Sequence, residues 1–286
     1  VAGMNPLAPP RVVRWIIGIV VGVVFVVPFA ATLLFTFTPL PGAEGLSAAR
    51  WAALFDPANA AKHRPLWTGL GNSLSLAAVT VAIVLVLFTP TMVLVALKYP
   101  RLRRVFEFVA LLPISIPAIV LVVGLTPLYL QIGRTLGTGA WTLAFAYGIV
   151  VLPFAYRSIQ ASIDAIDVRT LAEAARTLGS GWLTVLVRVI VPNLRAGLLA
   201  AALITVAVVL GEFTIASLLN RQVLQTALVL INKQDGYVAA MFTLLALAFA
   251  FALLLVIGRV GRVGSAAPTR SRRIRRASAP RKERTA

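Results

Sequence analysis

DAIDVRTLAEAARTLGSGWLTVLVRVIVP, residues 164–192, is a polar, patterned stretch set between two long apolar runs. Asp164 and Asp167 suit a helix start, because a carboxylate there accepts from free amides and faces the positive end of the helix dipole. Gly179 suits the end of the same helix, where a left-handed residue is wanted. Between them Leu171, Ala174, Ala175 and Leu178 fall at i, i+3, i+4 and i+7, which predicts one apolar stripe, while Arg169, Glu173 and Arg176 share another face. A second short helix is expected over 181–189, ending before Pro192. The stretch reads as an amphipathic helix, a turn and a helix, hung from whatever the flanking runs build.

Those runs belong in lipid. Of the 286 residues 59% are hydrophobic and 13% charged, and the mean hydropathy is +0.92, which a soluble globule does not reach. A helix needs about 20 apolar residues to cross a bilayer with every backbone polar group satisfied. Six stretches qualify, at 12–37, 68–97, 105–130, 141–156, 196–219 and 238–260, the fourth being short unless it continues past Arg157. The expected fold class is therefore all-α, a polytopic membrane bundle of about six transmembrane helices. The first run follows Arg11 and Arg14 but is too long for a signal peptide, so it reads as a retained span.

With both termini in the cytoplasm, the inner segments hold 21 of the 27 basic residues; the outer ones hold Arg50, Lys62, Arg64, Arg134, Arg221 and Lys233. The excess of positive charge inside sets that orientation. It divides the chain into a cytoplasmic N-terminus (1–11), a membrane domain (12–260) with a cytoplasmic loop at about 159–195, and a basic tail (261–286) expected to be disordered. The net charge of +18 does not point to nucleic acid, because the basic residues sit between and after apolar runs rather than on one soluble face. No cysteine is present and His63 is the single histidine, so thiolate sites are excluded and zinc is not expected.

Prolines 28, 90, 113, 117, 127 and 153 fall inside the apolar runs and predict kinks, with the pair in Leu-Pro-Ile-Ser-Ile-Pro (112–117) the strongest candidate for a real break. The outer segment 38–65, with Trp51 and Phe55 and the adjoining Trp67, suits a short helix at the membrane interface. Glu212 is the one acid well inside a run; it is read either as a counter-charge for a cationic solute, with Thr214 and Ser217 beside it, or as a structural hydrogen-bond acceptor.

Glu173-Ala174-Ala175, then three residues and Gly179, then nine residues and Val189-Ile190-Val191-Pro192 resembles the EAA loop of permease subunits of binding-protein-dependent ABC importers. The family pattern ends Ile-x-Leu-Pro, so Val189 and Val191 are conservative departures. The resemblance extends to Asn72-Ser73-Leu74 and Gly211-Glu212-Phe213, and around Pro153-Phe154 and Asp167-Val168-Arg169 it is closest to the spermidine and putrescine permeases, with iron, thiamine and phosphonate permeases near. It implies a type I importer fold in a bacterial inner membrane, with Glu173, Ala174, Ala175, Gly179 and Pro192 in a helix that docks on the ATPase. It also implies the partners: a second permease subunit, an ABC ATPase dimer and an extracytoplasmic substrate-binding protein.

None of the four lysines follows a glycine, so the chain has no Gly-Lys-Ser/Thr phosphate loop, and no catalytic constellation stands out. The chain is not expected to be an enzyme or to hold a cofactor; ATP and magnesium would sit on the partner ATPase. An ion-driven secondary transporter is the rival reading from another class. It would call for intramembrane acids or an internal repeat, where this sequence has one such acid and no convincing repeat.

Overall fold

The computed structural model describes residues 10–39 and 45–263, so the tail beyond 263 and residues 1–9 expected at the N-terminus lie outside the described residues. The described chain is helical throughout: α1 (Arg11–Thr36), α2 (Ala49–Leu54), α3 (Ala60–Ile83), α4 (Thr89–Lys98), α5 (Arg103–Leu111), α6 (Ala118–Thr135) and α7 (Ala144–Asp164). There follow α8 (Val168–Thr177), α9 (Trp182–Thr184), α10 (Val191–Asn193), α11 (Arg195–Gly211), α12 (Thr214–Leu218), α13 (Leu224–Asn232) and α14 (Gly236–Val263). Four stretches among the described residues are long and apolar enough to cross a membrane: Val12–Thr36, Pro57–Lys98, Ala118–Thr135 and Ala140–Asp164. Trp182–Asn193 and Arg195–Gly211, bent by 77°, would make a fifth, and Gly236–Ala252 is a shorter apolar helix.

Each of the six expected runs is occupied by helix, but the third and fifth are interrupted. Pro113 and Pro117 end α5 and delay α6, with Ile116 extended between them, because neither proline can donate to the preceding turn. The fifth run stops at Gly211, Glu212 is extended, and α12 begins two residues later. The fourth run does continue past Arg157, to Asp164.

Two other prolines act differently. A π-helical turn, Val84–Phe88, joins α3 to α4 just before Pro90, and another, Val185–Ile190, joins α9 to α10 just before Pro192. A wider turn relieves the clash between a proline ring and the carbonyl four residues back, so the helix bulges where it would otherwise break.

The core is built around α7. Its Tyr147, Val151, Ala155 and Ile159 are fully buried, and α11 lies against it. Lipid offers no hydrophobic drive between helices, so small residues that allow close packing matter most. A Cβ on Gly197 of α11 would lie 2.7 Å from the Ser158 carbonyl oxygen of α7, which leaves room for glycine only. The buried hydroxyls of Thr80, Thr89 and Thr205 donate to carbonyls of their own or the preceding turn and so cost little to bury.

Helix α1 stands at the periphery against α14, with apolar side chains from Val12 to Phe35 largely exposed. Its end is clasped. Phe35 stacks on Tyr237 at 4.4 Å, the Arg50 guanidinium lies 3.6 Å over the Tyr237 ring, and Trp51 Nε1 donates to the buried Thr36 hydroxyl at 3.1 Å. The expected helix of the outer segment is α2. The aromatic residues near it pack on one another, Phe55 on Trp67 and Trp67 on Phe242.

Candidate coupling loop and pathway residues

Helix α8 is closed at both ends, by a side chain at its start and by backbone bonds at a glycine at its end. Asp167 is its N-cap: Oδ1 accepts from the Thr170 amide at 3.0 Å and Oδ2 from the Thr170 hydroxyl at 2.7 Å. Those bonds, hydroxyl first, hold its carboxyl below the ordinary aspartate value. Asp164, also expected at a helix start, instead closes α7, where it pairs with Arg103 Nη2 at 2.7 Å and accepts from Gln160. At the other end Gly179 is left-handed (φ 82°), the Ser180 amide donates to Ala175 O, and the Gly179 amide donates to Arg176 O. This is the Schellman closure that glycine makes possible.

The buried face of α8 is not the expected one. Val168, Ala172 and Ala175 are buried and Leu171 partly so, whereas Ala174 is exposed and Leu178 is 86% exposed. The π-helical turn at Val185–Ile190 packs on the Val168–Ala172–Ala175 face, which turns the Ala174–Leu178 side outward. Glu173 lies on the exposed side with its carboxylate 2.9 Å from Arg169 Nε. Both groups are well hydrated, so the pair stabilises little. Pro192 sits exposed in the first turn of α10.

The result is a loop with an open apolar patch. Leu178, Trp182, Leu183 and Val187 are all exposed, and a cleft of about 450 Å³ runs between Leu94, Leu97 and Lys98 of α4 and Arg169, Glu173 and Arg176 of α8.

Glu212 lies elsewhere, at the break between α11 and α12. Its Oε2 accepts from the Tyr147 hydroxyl at 2.7 Å, and both oxygens face the Ile215 amide at 3.0 and 3.1 Å. The carboxylate therefore ties α7 to the start of α12. Thr214 is partly buried beside it, and Ser217 is exposed on α12. Tyr147 was not singled out by the sequence; it stands 65 residues from Glu212 and no local pattern links the two. Asn72 and Ser73 gain a concrete role: Asn72 Nδ2 donates to Gln222 O at 2.7 Å, and Ser73 Oγ accepts from the Leu224 amide at 2.8 Å, so α3 pins the turn before α13. Among the described residues no three histidine, aspartate or glutamate side chains converge as a metal site.

A family model described as "Binding-protein-dependent transport system inner membrane component" matches residues 93–262, more than half of the chain. The Molybdenum transport system permease protein ModB of Azotobacter vinelandii is 32% identical over 160 residues, 52% of this chain and 70% of that one. Probable ABC transporter permease protein y4fN of Sinorhizobium fredii is 26% identical over 276 residues, 90% of this chain and 47% of its own length. The Spermidine/putrescine transport system permease protein PotB of Haemophilus influenzae is 28% identical over 167 residues, 52% and 57% of the two chains. The chain thus spans about half the length of y4fN and PotB. The matched region runs from α4 through the capped loop to α14, and with it this chain belongs to the family of inner-membrane permease components of binding-protein-dependent ABC importers.

Proposed function

We propose that the chain forms half of a solute pathway in a bacterial inner membrane, paired with a second permease subunit and driven by an ABC ATPase dimer. A binding protein outside the membrane delivers the solute. ATP and magnesium are held by the ATPase, since this chain has no phosphate loop. Both termini and the 159–195 loop lie in the cytoplasm, following the basic imbalance.

The observation that carries this reading is α8: capped by Asp167, closed by Gly179, and presenting Leu178, Trp182 and Leu183 uncovered beside an open cleft. A short helix that is rigid at both ends and apolar on its free side suits a groove on a partner. Glu173, Ala174, Ala175, Gly179 and Pro192 form or frame that helix, and movement of the ATPases would be passed through it to α7 and α11.

The test is co-purification and uptake. Glu173→Lys and Gly179→Asp should leave the chain inserted but reduce ATPase recovery and solute uptake. Normal recovery and normal uptake in both variants would remove the coupling role.

A polyamine is a second reading for the solute, favoured by one observation, the partly buried carboxylate of Glu212 with Thr214 and Ser217 near it. Uptake of labelled spermidine by wild type and Glu212→Gln, normalised to assembled complex, decides it. No uptake by wild type with its own binding protein would end it.

A further inference from the structure

Arg221 is a cation whose needs the fold leaves unmet. It lies in the turn between α12 and α13, and its backbone is held firmly. Its amide donates to Ala216 O at 2.8 Å; the next residue, Gln222, accepts from Asn72 at its carbonyl and donates from Nε2 to Pro65 O at 3.1 Å. Asn220 before it has φ 50°, the left-handed closure of α12 that asparagine adopts more readily than other non-glycine residues.

A guanidinium carries five N–H donors. That of Arg221 is partly buried, its Nε is wholly covered without a partner, and no carboxylate or carbonyl among the described residues accepts from it. Two of the other outer cations are already engaged. Arg50 donates to the Thr38 and Pro39 carbonyls and covers Tyr237, and Lys62 pairs with Asp235 at 3.2 Å.

Arg221 lines a cavity of about 250 Å³ with Ser217, Asn220, Gln222, Thr226 and Leu230. Among the described residues no acidic one lines it, and Arg221 supplies the only formal charge of that lining. Glu212 does not reach across to compensate, because Tyr147 and the Ile215 amide engage its oxygens. The cavity also stands at the far end of the bundle from the capped loop. Helices α3 and α4 meet this turn at Pro65 and the 450 Å³ cleft at Lys98, roughly 50 Å apart at 1.5 Å per residue.

We propose that this cavity binds a small oxyanion, the anionic group of the transported solute, through Arg221. The proposal rests on the permease reading and narrows the solute to an anion, against the polyamine alternative. A guanidinium offers paired, parallel N–H groups that match an oxyanion, and a pre-held backbone lowers the ordering needed on binding.

The test uses the assembled complex in lipid nanodiscs and reads its thermal midpoint during titration with sulfate, inorganic phosphate or molybdate. Sodium chloride and spermidine at matched ionic strength are the controls. A saturable rise with at least one oxyanion is expected, absent with the controls, and about tenfold or more weaker in apparent affinity for Arg221→Gln. Arg221→Lys, which keeps the charge but loses the fork, should fall between, and it replaces the glutamine variant if that fails to accumulate. Equal affinities in wild type and both variants, or no rise beyond chloride, would overturn the proposal. A complex that needs Arg221 to assemble yet ignores oxyanions would overturn it too, showing that a neighbouring subunit's carboxylate fills the cavity. If no ATPase co-purifies, the permease reading fails separately, and the same titration on the isolated full chain still decides whether the cavity takes an anion.

Discussion

Removing one hydroxyl, in Tyr147→Phe, should loosen the bundle without touching the solute. Tyr147 is fully buried and donates to Glu212 Oε2 at 2.7 Å, a charge-assisted bond that joins α7 to the break after α11. Its loss should cost about 1.5–3 kcal/mol. Glu212→Gln keeps an acceptor and weakens the bond to a neutral one, about half as strong, so about 1 kcal/mol is expected. Glu212→Ala does more: it strands the Tyr147 hydroxyl, about 1–3 kcal/mol, and uncaps the Ile215 amide, about 1 kcal/mol. The double variant Tyr147→Phe with Glu212→Ala should then be little worse than Glu212→Ala alone, since the stranded hydroxyl is gone. The assay is denaturant unfolding of the purified complex in detergent for wild type and all four variants, beside uptake normalised to assembled complex. Tyr147→Phe within about 0.5 kcal/mol of wild type, or additive energies around the cycle, would refute a structural tie. Loss of uptake in Glu212→Gln at unchanged stability would give the carboxylate to the solute instead.

Three further outcomes follow from the same structure. Gly179→Ala places a side chain at φ 82° and should destabilise the α8 closure by about 1–2 kcal/mol, seen as reduced ATPase recovery at normal membrane insertion. Gly197→Val drives a side chain into the Ser158 carbonyl and should lower the stability of the complex by about 1–3 kcal/mol, read as a lower thermal midpoint than for Gly71→Val, where a Cβ meets nothing within 4 Å. Asp167 has its folded pKa depressed, so the cap it supplies is present above the unfolded value of about 4 and is lost as pH falls through the lower folded value. Hydrogen exchange at the 168–171 amides, corrected for intrinsic rates, should rise on that acid side in wild type and show no such step in Asp167→Asn.

Much of the architecture was legible because it is local. An apolar run long enough to cross a bilayer, a proline pair that cannot continue a helix, and a capping aspartate twelve residues before a glycine each act on their own few turns. Hence the six helical regions, the break at Pro113–Ile116–Pro117, and the ends of α8 at Asp167 and Gly179 all stand where the linear order places them. The buried face of α8 does not. Leu171, Ala174, Ala175 and Leu178 make one valid stripe and Val168, Leu171, Ala172 and Ala175 another, offset by a fraction of a turn, and only the π-helical segment packed beside them selects the second. Asp164 satisfied the same local rule as Asp167, yet Arg103, 61 residues away, claimed it. The two charged residues that matter most at the α12 turn divide in the same way. Glu212 could be singled out as an acid among apolar residues, but its bond to Tyr147 exists only because α7 and α11 pack together. Arg221 was one outer arginine among several, and that its Nε is covered without a partner while Arg50 and Lys62 find theirs is a property of the folded surroundings. Sequence sets the direction in which a side chain leaves its helix; what stands opposite to accept its hydrogen bonds is decided only when distant segments pack.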